Sequence, residues 1–186
     1  MSRNHYFFAL PLPLELKQDL HQRIQEQQLP FARFVHEQDL HLTLAFLGAA
    51  EEEPLQKAIS LMASFIKEKE IEAFPLVIDH LGFFGKKTEP RIFWAGVQEE
   101  SRLNQLQATV SAACREAGFT LDNRPFRPHI TIARKWKGET SFQLPPLELK
   151  ENFLAESVVL YETYLDRSPK YKIKEKIELH KGEGKE

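Results

Sequence analysis

The chain has 186 residues, 42% of them hydrophobic and 28% charged, which suits one domain or two small lobes sharing a core. Its formal net charge of −2 provides no global attraction to nucleic acid, and its single cysteine, Cys114, excludes an internal disulfide or a multi-cysteine metal site. No apolar stretch approaches the ~20 residues of a membrane-spanning helix, and Tyr6–Leu10 is too short for a signal peptide, so the expectation is a soluble cytoplasmic protein.

In chain order, Tyr6–Leu10 reads as a strand ended by Pro11 and Pro13. Leu14–Gln28 carries Leu16, Leu20 and Ile24 at helical spacing. Phe31–Val35 and Leu40–Phe46 read as short strands, the second closed by Gly48. The acidic run Glu51–Glu53 favours a helix start, and the helix it opens runs to about Lys69 with Leu55, Ile59, Met62 and Ile66 inward. Phe74–Ile78 and Arg91–Val97 are strand-like, joined by a loop over Gly82–Pro90. A third helix spans about Glu99–Ala117, with Leu103, Leu106 and Val110 inward, Cys114 as a small buried residue, and Gly118 as its C-terminal cap. Strands follow near His129–Ala133, Leu154–Thr163 and Tyr171–Leu179, and Lys181–Glu186 reads as a frayed tail. Strands outnumber helices without alternating with them, which favours an α+β fold with mainly antiparallel sheets over a doubly wound one. Neither GxGxxG nor GxxxxGK[ST] occurs.

One local feature occurs twice. His41-Leu42-Thr43-Leu44 and His129-Ile130-Thr131-Ile132 share the pattern His-x-Thr-x with apolar residues at both x positions. Residues i and i+2 of a strand share a face, so each segment presents an imidazole and a hydroxyl on one face and anchors the other in the core. Two such strands side by side make a cleft with two imidazoles and two hydroxyls. One imidazole can serve as base while the other is protonated as acid, and threonine hydroxyls can donate to non-bridging phosphate oxygens. From Asn123 to Gly138 the chain carries Arg124, Arg127, Arg134, Lys135 and Lys137 and no acidic residue, so the second motif lies in locally basic surroundings.

These motifs resemble those of the 2H phosphoesterase superfamily, and their surroundings look like its RNA 2′,3′-cyclic phosphodiesterase branch, the 2′-5′ RNA ligase-like proteins. The supporting segments are Phe7–Pro13, Leu40–Gly48 and Arg124–Arg134, with Gly82–Val97 similar to the family's loop and strand between the motifs. The resemblance implies a bilobal fold over residues 1–180, with one motif per half. Its two mainly antiparallel sheets would be related by a pseudo-twofold, with helices outside and a central cleft. It implies opening of terminal 2′,3′-cyclic phosphate to a 2′-phosphomonoester, without metal or cofactor. Carried over, His41 is the proton donor, His129 the proton acceptor, and Thr43 and Thr131 hold phosphate oxygens. Arg134 contacts the phosphate, Phe46 stacks on the terminal base and Arg127 is a further candidate for substrate binding. Strict alternation puts both Arg134 and Phe46 on the face opposite the histidines, so these roles require a bulge or twist. The expected partner is RNA with 2′,3′-cyclic phosphate ends, tRNA halves included, with no membrane and a monomer as the default.

Other readings are weaker. A metal site on His41 and His129 would want carboxylates beside them, and their neighbours are apolar. No Gly-x-Ser-x-Gly occurs to mark a serine nucleophile. The remaining histidines read as surface residues, with His36 near enough to the first motif to line the cleft. Trp94 reads as sheet packing, whereas Trp136, in the basic run, is a candidate for stacking on RNA. The same residues would serve a different cyclic phosphate or a ligation run in reverse, and a non-catalytic RNA-end binding module would keep the cleft without turnover.

Overall fold

The computed structural model describes residues 4–182. In chain order it runs β1 (His5–Pro11), α1 (Leu14–Gln25), β2 (Phe31–Phe34), a 3-10 turn (Glu37–Asp39), β3 (His41–Ala49) and α2 (Glu52–Glu68). It continues with β4 (Phe74–Lys86), β5 (Glu89–Val97), α3 (Ser101–Glu116), β6 (Ile130–Trp136), β7 (Glu151–Ala155), β8 (Ser157–Thr163) and β9 (Tyr171–Glu178). The architecture is α+β, and every pairing between these strands is antiparallel.

The strand order is β7-β4-β5-β6-β3-β1-β8-β9, with β2 also paired to β6. Reading outward from the middle, β3-β1-β8-β9 on one side mirrors β6-β5-β4-β7 on the other, and each motif strand is the innermost of its set. The two expected sheets are joined edge to edge by a single pair, Leu42 opposite Ile130. The motif strands meet at only one rung, which places the two histidine segments against each other.

The helices form because their apolar residues recur at i, i+3 and i+4 and bury together. Leu16, Leu20 and Ile24 of α1, Leu55, Ala58, Met62 and Ile66 of α2, and Leu103, Leu106 and Val110 of α3 join Phe8, Leu10, Leu42, Leu44, Phe93 and Ile130 in one core. The helices therefore cover the sheet face opposite the one carrying the motif side chains. After α3, Gly118 takes φ +102, and the Phe119 and Gly118 N–H groups donate to Cys114 and Arg115 carbonyls in a Schellman arrangement. Cys114 is buried, which pushes its thiol up to about 12.

Two expected elements differ. The loop over Gly82–Pro90 is instead the tip of a long hairpin, with only Lys87 and Thr88 outside the strands. Gly85, at φ +104, absorbs a register shift there, and Phe83 pairs with Phe93 across the ladder. The single strand over Leu154–Thr163 is two, broken at Glu156: β7 pairs with β4 and β8 with β1. Both stretches are apolar, so periodicity carries no mark of the point where the chain crosses from one half to the other. Of the expected frayed tail, residues 183–186 lie outside the described residues.

Candidate active site

With Leu42 opposite Ile130, the antiparallel register sets His41 across from Thr131 and Thr43 across from His129, all four on one face. The site is thus two rungs, each pairing an imidazole from one half with a hydroxyl from the other.

Both rings are held the same way. His41 Nδ1 lies 2.7 Å from the carbonyl oxygen of Asp39, and His129 Nδ1 lies 2.7 Å from that of Arg127. A carbonyl only accepts, so Nδ1 carries the hydrogen in both rings and Nε2 is the atom left for chemistry. In the first half, Thr43 Oγ1 is 2.9 Å from His41 Nε2, and its hydroxyl donates to the neutral ring.

Aromatic rings enclose each imidazole. Phe7, Tyr171 and Tyr161 lie 4.8, 5.3 and 5.8 Å from His41, centroid to centroid. Phe84 and Trp94 lie 5.0 and 6.1 Å from His129. Burial in this setting disfavours the charged ring. It is the main cause pushing His41 down to about 4, against a smaller upward pull from Asp39, with the charges of Lys17 and His129 lowering it further. Burial also lowers His129, with Arg134's charge acting in the same direction.

The bulge that Phe46 and Arg134 need is present, and it occurs twice at the same offset. Along β3, Ala9 pairs with Thr43 and Phe8 with Ala45, so Leu44 is the extra residue. Along β6, Trp94 pairs with Thr131 and Phe93 with Ala133, so Ile132 is the extra residue. Each lies three positions after its histidine, and in each strand two successive residues are buried there, Leu44 and Ala45, then Ile132 and Ala133. The added residue resets the alternation, so the fifth residue after each histidine returns to the histidine face. Both bulged carbonyls are satisfied: Leu44's accepts from the Gln107 side chain at 3.2 Å and Ile132's from the Val35 N–H at 2.8 Å. Phe46, 58% exposed, therefore sits on the cleft face across from Phe7, with His5 packed edge-on against it. Arg134 sits across from Ile92, and its charge reaches His129 and Tyr171.

Arg127 contributes its backbone carbonyl to His129, while its exposed side chain lines a groove of about 490 Å³ with Phe84, Trp94 and Phe126. Two other expectations are corrected. Trp136 is buried rather than free to stack on RNA: Lys135, at φ +63, turns the chain so that the indole packs on Phe31 and Phe142, and Nε1 donates to the Thr140 carbonyl at 3.0 Å. His36 caps the 3-10 turn, its Nδ1 accepting from the Gln38 N–H, rather than lining the cleft.

Sequence reasoning missed Asp39, 4% exposed, whose carboxylate accepts from the backbone N–H groups of Lys170 (2.8 Å) and Tyr171 (3.2 Å). One residue thus holds His41's Nδ1 with its main chain and Tyr171, which packs on His41, with its side chain. Tyr161 and Tyr171 were also missed, since nothing local distinguishes them from ordinary strand residues. Trp94 is a floor residue of the cleft: the Gly82 backbone lies so close beneath the indole that a Cβ there would fall 2.3 Å from it. Among the described residues, no three His, Cys, Asp or Glu side chains converge as metal ligands would, and no helix is long and apolar enough to cross a membrane.

Comparison with known proteins points one way. The model of the 2′-5′ RNA ligase superfamily matches residues 12–157. A Geobacillus stearothermophilus protein named RNA 2′,3′-cyclic phosphodiesterase is 44% identical over 177 residues, a match covering 92% of this chain but 56% of that protein, so the chain spans little more than half of it. A Bacillus subtilis protein of the same name is 34% identical over 172 residues, covering 91% of this chain and 93% of its own. The crystal structure of Escherichia coli LigT complexed with 3′-AMP superposes with a TM-score of 0.82 at 29% identity, over 97% of this chain and all of that one.

Proposed function

The chain belongs to the 2′-5′ RNA ligase superfamily, and from that premise we propose that it hydrolyses a terminal RNA 2′,3′-cyclic phosphate to a 2′-phosphomonoester by two-histidine acid–base catalysis. The observation that carries this reading is the pair of crossed His/Thr rungs with both Nδ1 atoms tied to backbone carbonyls. Residues 1–180 act as one catalytic unit, in the cytoplasm and as a monomer, on RNA ends such as those of tRNA halves.

In this mechanism the cyclic phosphate lies between the two Nε2 atoms. His129 Nε2 takes a proton from water as its oxygen bonds to phosphorus, the P–O3′ bond breaks, and His41 gives its Nε2 proton to the departing 3′ oxygen. Each step of this kind contributes typically about 10²–10⁴-fold. Protonation of His41 Nε2 ends its role as acceptor for Thr43, which frees that hydroxyl to donate to a non-bridging oxygen, as Thr131 does from the other half. Arg134 adds charge-assisted contacts to the same oxygens, Arg127 guides the substrate from the groove, and Phe46 stacks on the terminal base.

The test is turnover of a 2′,3′-cyclic-phosphate oligonucleotide in excess EDTA, with the product identified by phosphorus NMR. A 2′-phosphate is expected, lost in both His41→Ala and His129→Ala. Activity surviving either substitution, or requiring added metal, sinks the proposal.

A further inference from the structure

Beyond the two His/Thr rungs, the cleft face continues to a third rung, of which the proposed chemistry uses Arg134 and leaves Arg33 without a role. The N–H of Val35 bonds to the carbonyl of Ile132, and β2 then runs beside β6 with Arg33 directly across from Arg134 and Phe34 across from Ala133. β2 and β3 thus lie one after the other along the same edge of β6, separated by the 3-10 turn that carries Asp39. Directly opposed residues of an antiparallel pair share a face. Arg33 therefore stands on the face of Arg134, which is the histidine face once the Ile132 bulge is counted.

Two like charges directly opposite one another are destabilising. Neither guanidinium has a carboxylate or other hydrogen-bonding partner among the described residues, and both side chains are exposed. Some surface arginines are neutralised locally, Arg102 by Glu100, Arg124 by Asp122 and the half-buried Arg23 by Glu151; Arg33 and Arg134 instead face each other across one rung. An uncompensated guanidinium pair on a cleft face is a seat for an anion, since each planar fork can bond two phosphate oxygens.

The position selects which anion. Thr131 pairs with Trp94 and Arg134 with Ile92, so with the Ile132 bulge Arg134 lies two rungs beyond Thr131, roughly 7 Å along the sheet at about 3.3 Å per residue, a span that one nucleotide covers. Arg33 lies on the side of Arg134 toward the His41 half, which in the proposed mechanism carries the leaving oxygen and so the ribose. We propose that Arg33, standing opposite the Arg134 that reaches the cyclic phosphate, forms a second phosphate subsite, which takes the phosphodiester joining the terminal nucleotide to the rest of the RNA. This rests on the function proposed above and makes Arg33 a determinant of preference for polymer over mononucleotide.

The experiment compares adenosine 2′,3′-cyclic phosphate with the same compound bearing a 5′-phosphate, which stands in for the phosphodiester. For the wild type, kcat/KM is expected to be higher for the 5′-phosphorylated substrate. In Arg33→Ala the ratio of the two falls about tenfold, and the dependence of log kcat/KM on log salt for the phosphorylated substrate loses about one unit of slope. Arg33→Lys recovers part of the ratio, and Lys57→Ala, which removes an equal charge from an exposed position on α2, leaves it at the wild-type value. An unchanged ratio in Arg33→Ala, or an equal loss on both substrates, overturns the subsite while leaving the phosphodiesterase reading intact. Turnover of neither substrate by the wild type defeats that reading, and the subsite with it.

Discussion

Burial of His41 among Phe7, Tyr161 and Tyr171 makes acid stability a direct probe of the site. The ring's folded value of about 4 lies below its unfolded value of about 6.5. Below pH 6.5 the unfolded chain takes up a proton that the native state refuses, so this residue's contribution to stability is present above pH 6.5 and is lost as pH falls toward 4. At 1.36 kcal/mol per unit, the full difference is roughly 3 kcal/mol, and between pH 7 and pH 4.5 it is roughly 2–3 kcal/mol. His41→Gln removes the titration while keeping a polar side chain of similar reach. Urea unfolding at the two pH values, for both proteins, isolates the effect because every other titrating group cancels in the difference. The wild type is expected to lose roughly 2–3 kcal/mol more than the variant on acidification. Equal losses would show that the ring titrates alike in both states, and the desolvation argument would fall with them.

The same burial sets the pH dependence of catalysis. Both histidines are lowered in the free protein, so both limbs of the kcat/KM profile are expected below about 6.5, whereas the alkaline limb of kcat moves up because the bound phosphate anion favours the imidazolium; a kcat/KM alkaline limb above pH 7 would contradict this. Asp39→Ala leaves two backbone N–H groups without acceptors, at roughly 1–3 kcal/mol each, and is expected to lower both the urea midpoint and kcat as Tyr171 loses its seat beside His41. Wild-type stability in that variant would show the carboxylate to be dispensable. Gly82→Ala places a methyl against the Trp94 indole, with an expected cost of roughly 1–3 kcal/mol and a shifted tryptophan emission; unchanged emission would mean that the indole does not lie over Gly82.

How much of this was legible in the sequence depends on the range of the forces involved. The two His-x-Thr segments were readable because strand alternation is local, so His41 with Thr43 and His129 with Thr131 follow from spacing alone. Helix interiors were readable for the same reason, and their ends shift only by the residues that fray or cap, as Gln28 does at φ 51 beyond α1. The bulges at Leu44 and Ile132 were not readable, since each depends on a carbonyl partner far off in the chain, Gln107 in one case and Val35 in the other. The role of Asp39 was not readable because it is made at the start of β9, some 130 residues away, and the burial of Trp136 was not readable because a positive φ at Lys135 carries no side-chain signature there.

The near-symmetry of the site sharpens the question of why the two histidines should differ in role at all. Their tautomers are fixed identically, and their bulges fall at the same offset. What differs is the enclosure: three aromatic rings surround His41, and its Nε2 already accepts from Thr43, whereas His129 meets two rings and has Arg134 beside it. At a value of about 4, only about one His41 in 10³ is protonated at neutral pH in the free protein. Once protonated it is the stronger acid of the two, and an anion in the cleft is what makes protonation favourable. Under the proposed mechanism the acid is therefore charged mainly when a phosphate is present, while burial, with a smaller contribution from the charge of Arg134, keeps His129 neutral and able to accept a proton from water. In the proposed mechanism, a fold that repeats one motif twice reaches two different roles through unlike surroundings, a tyrosine pair packed on one copy and an arginine beside the other.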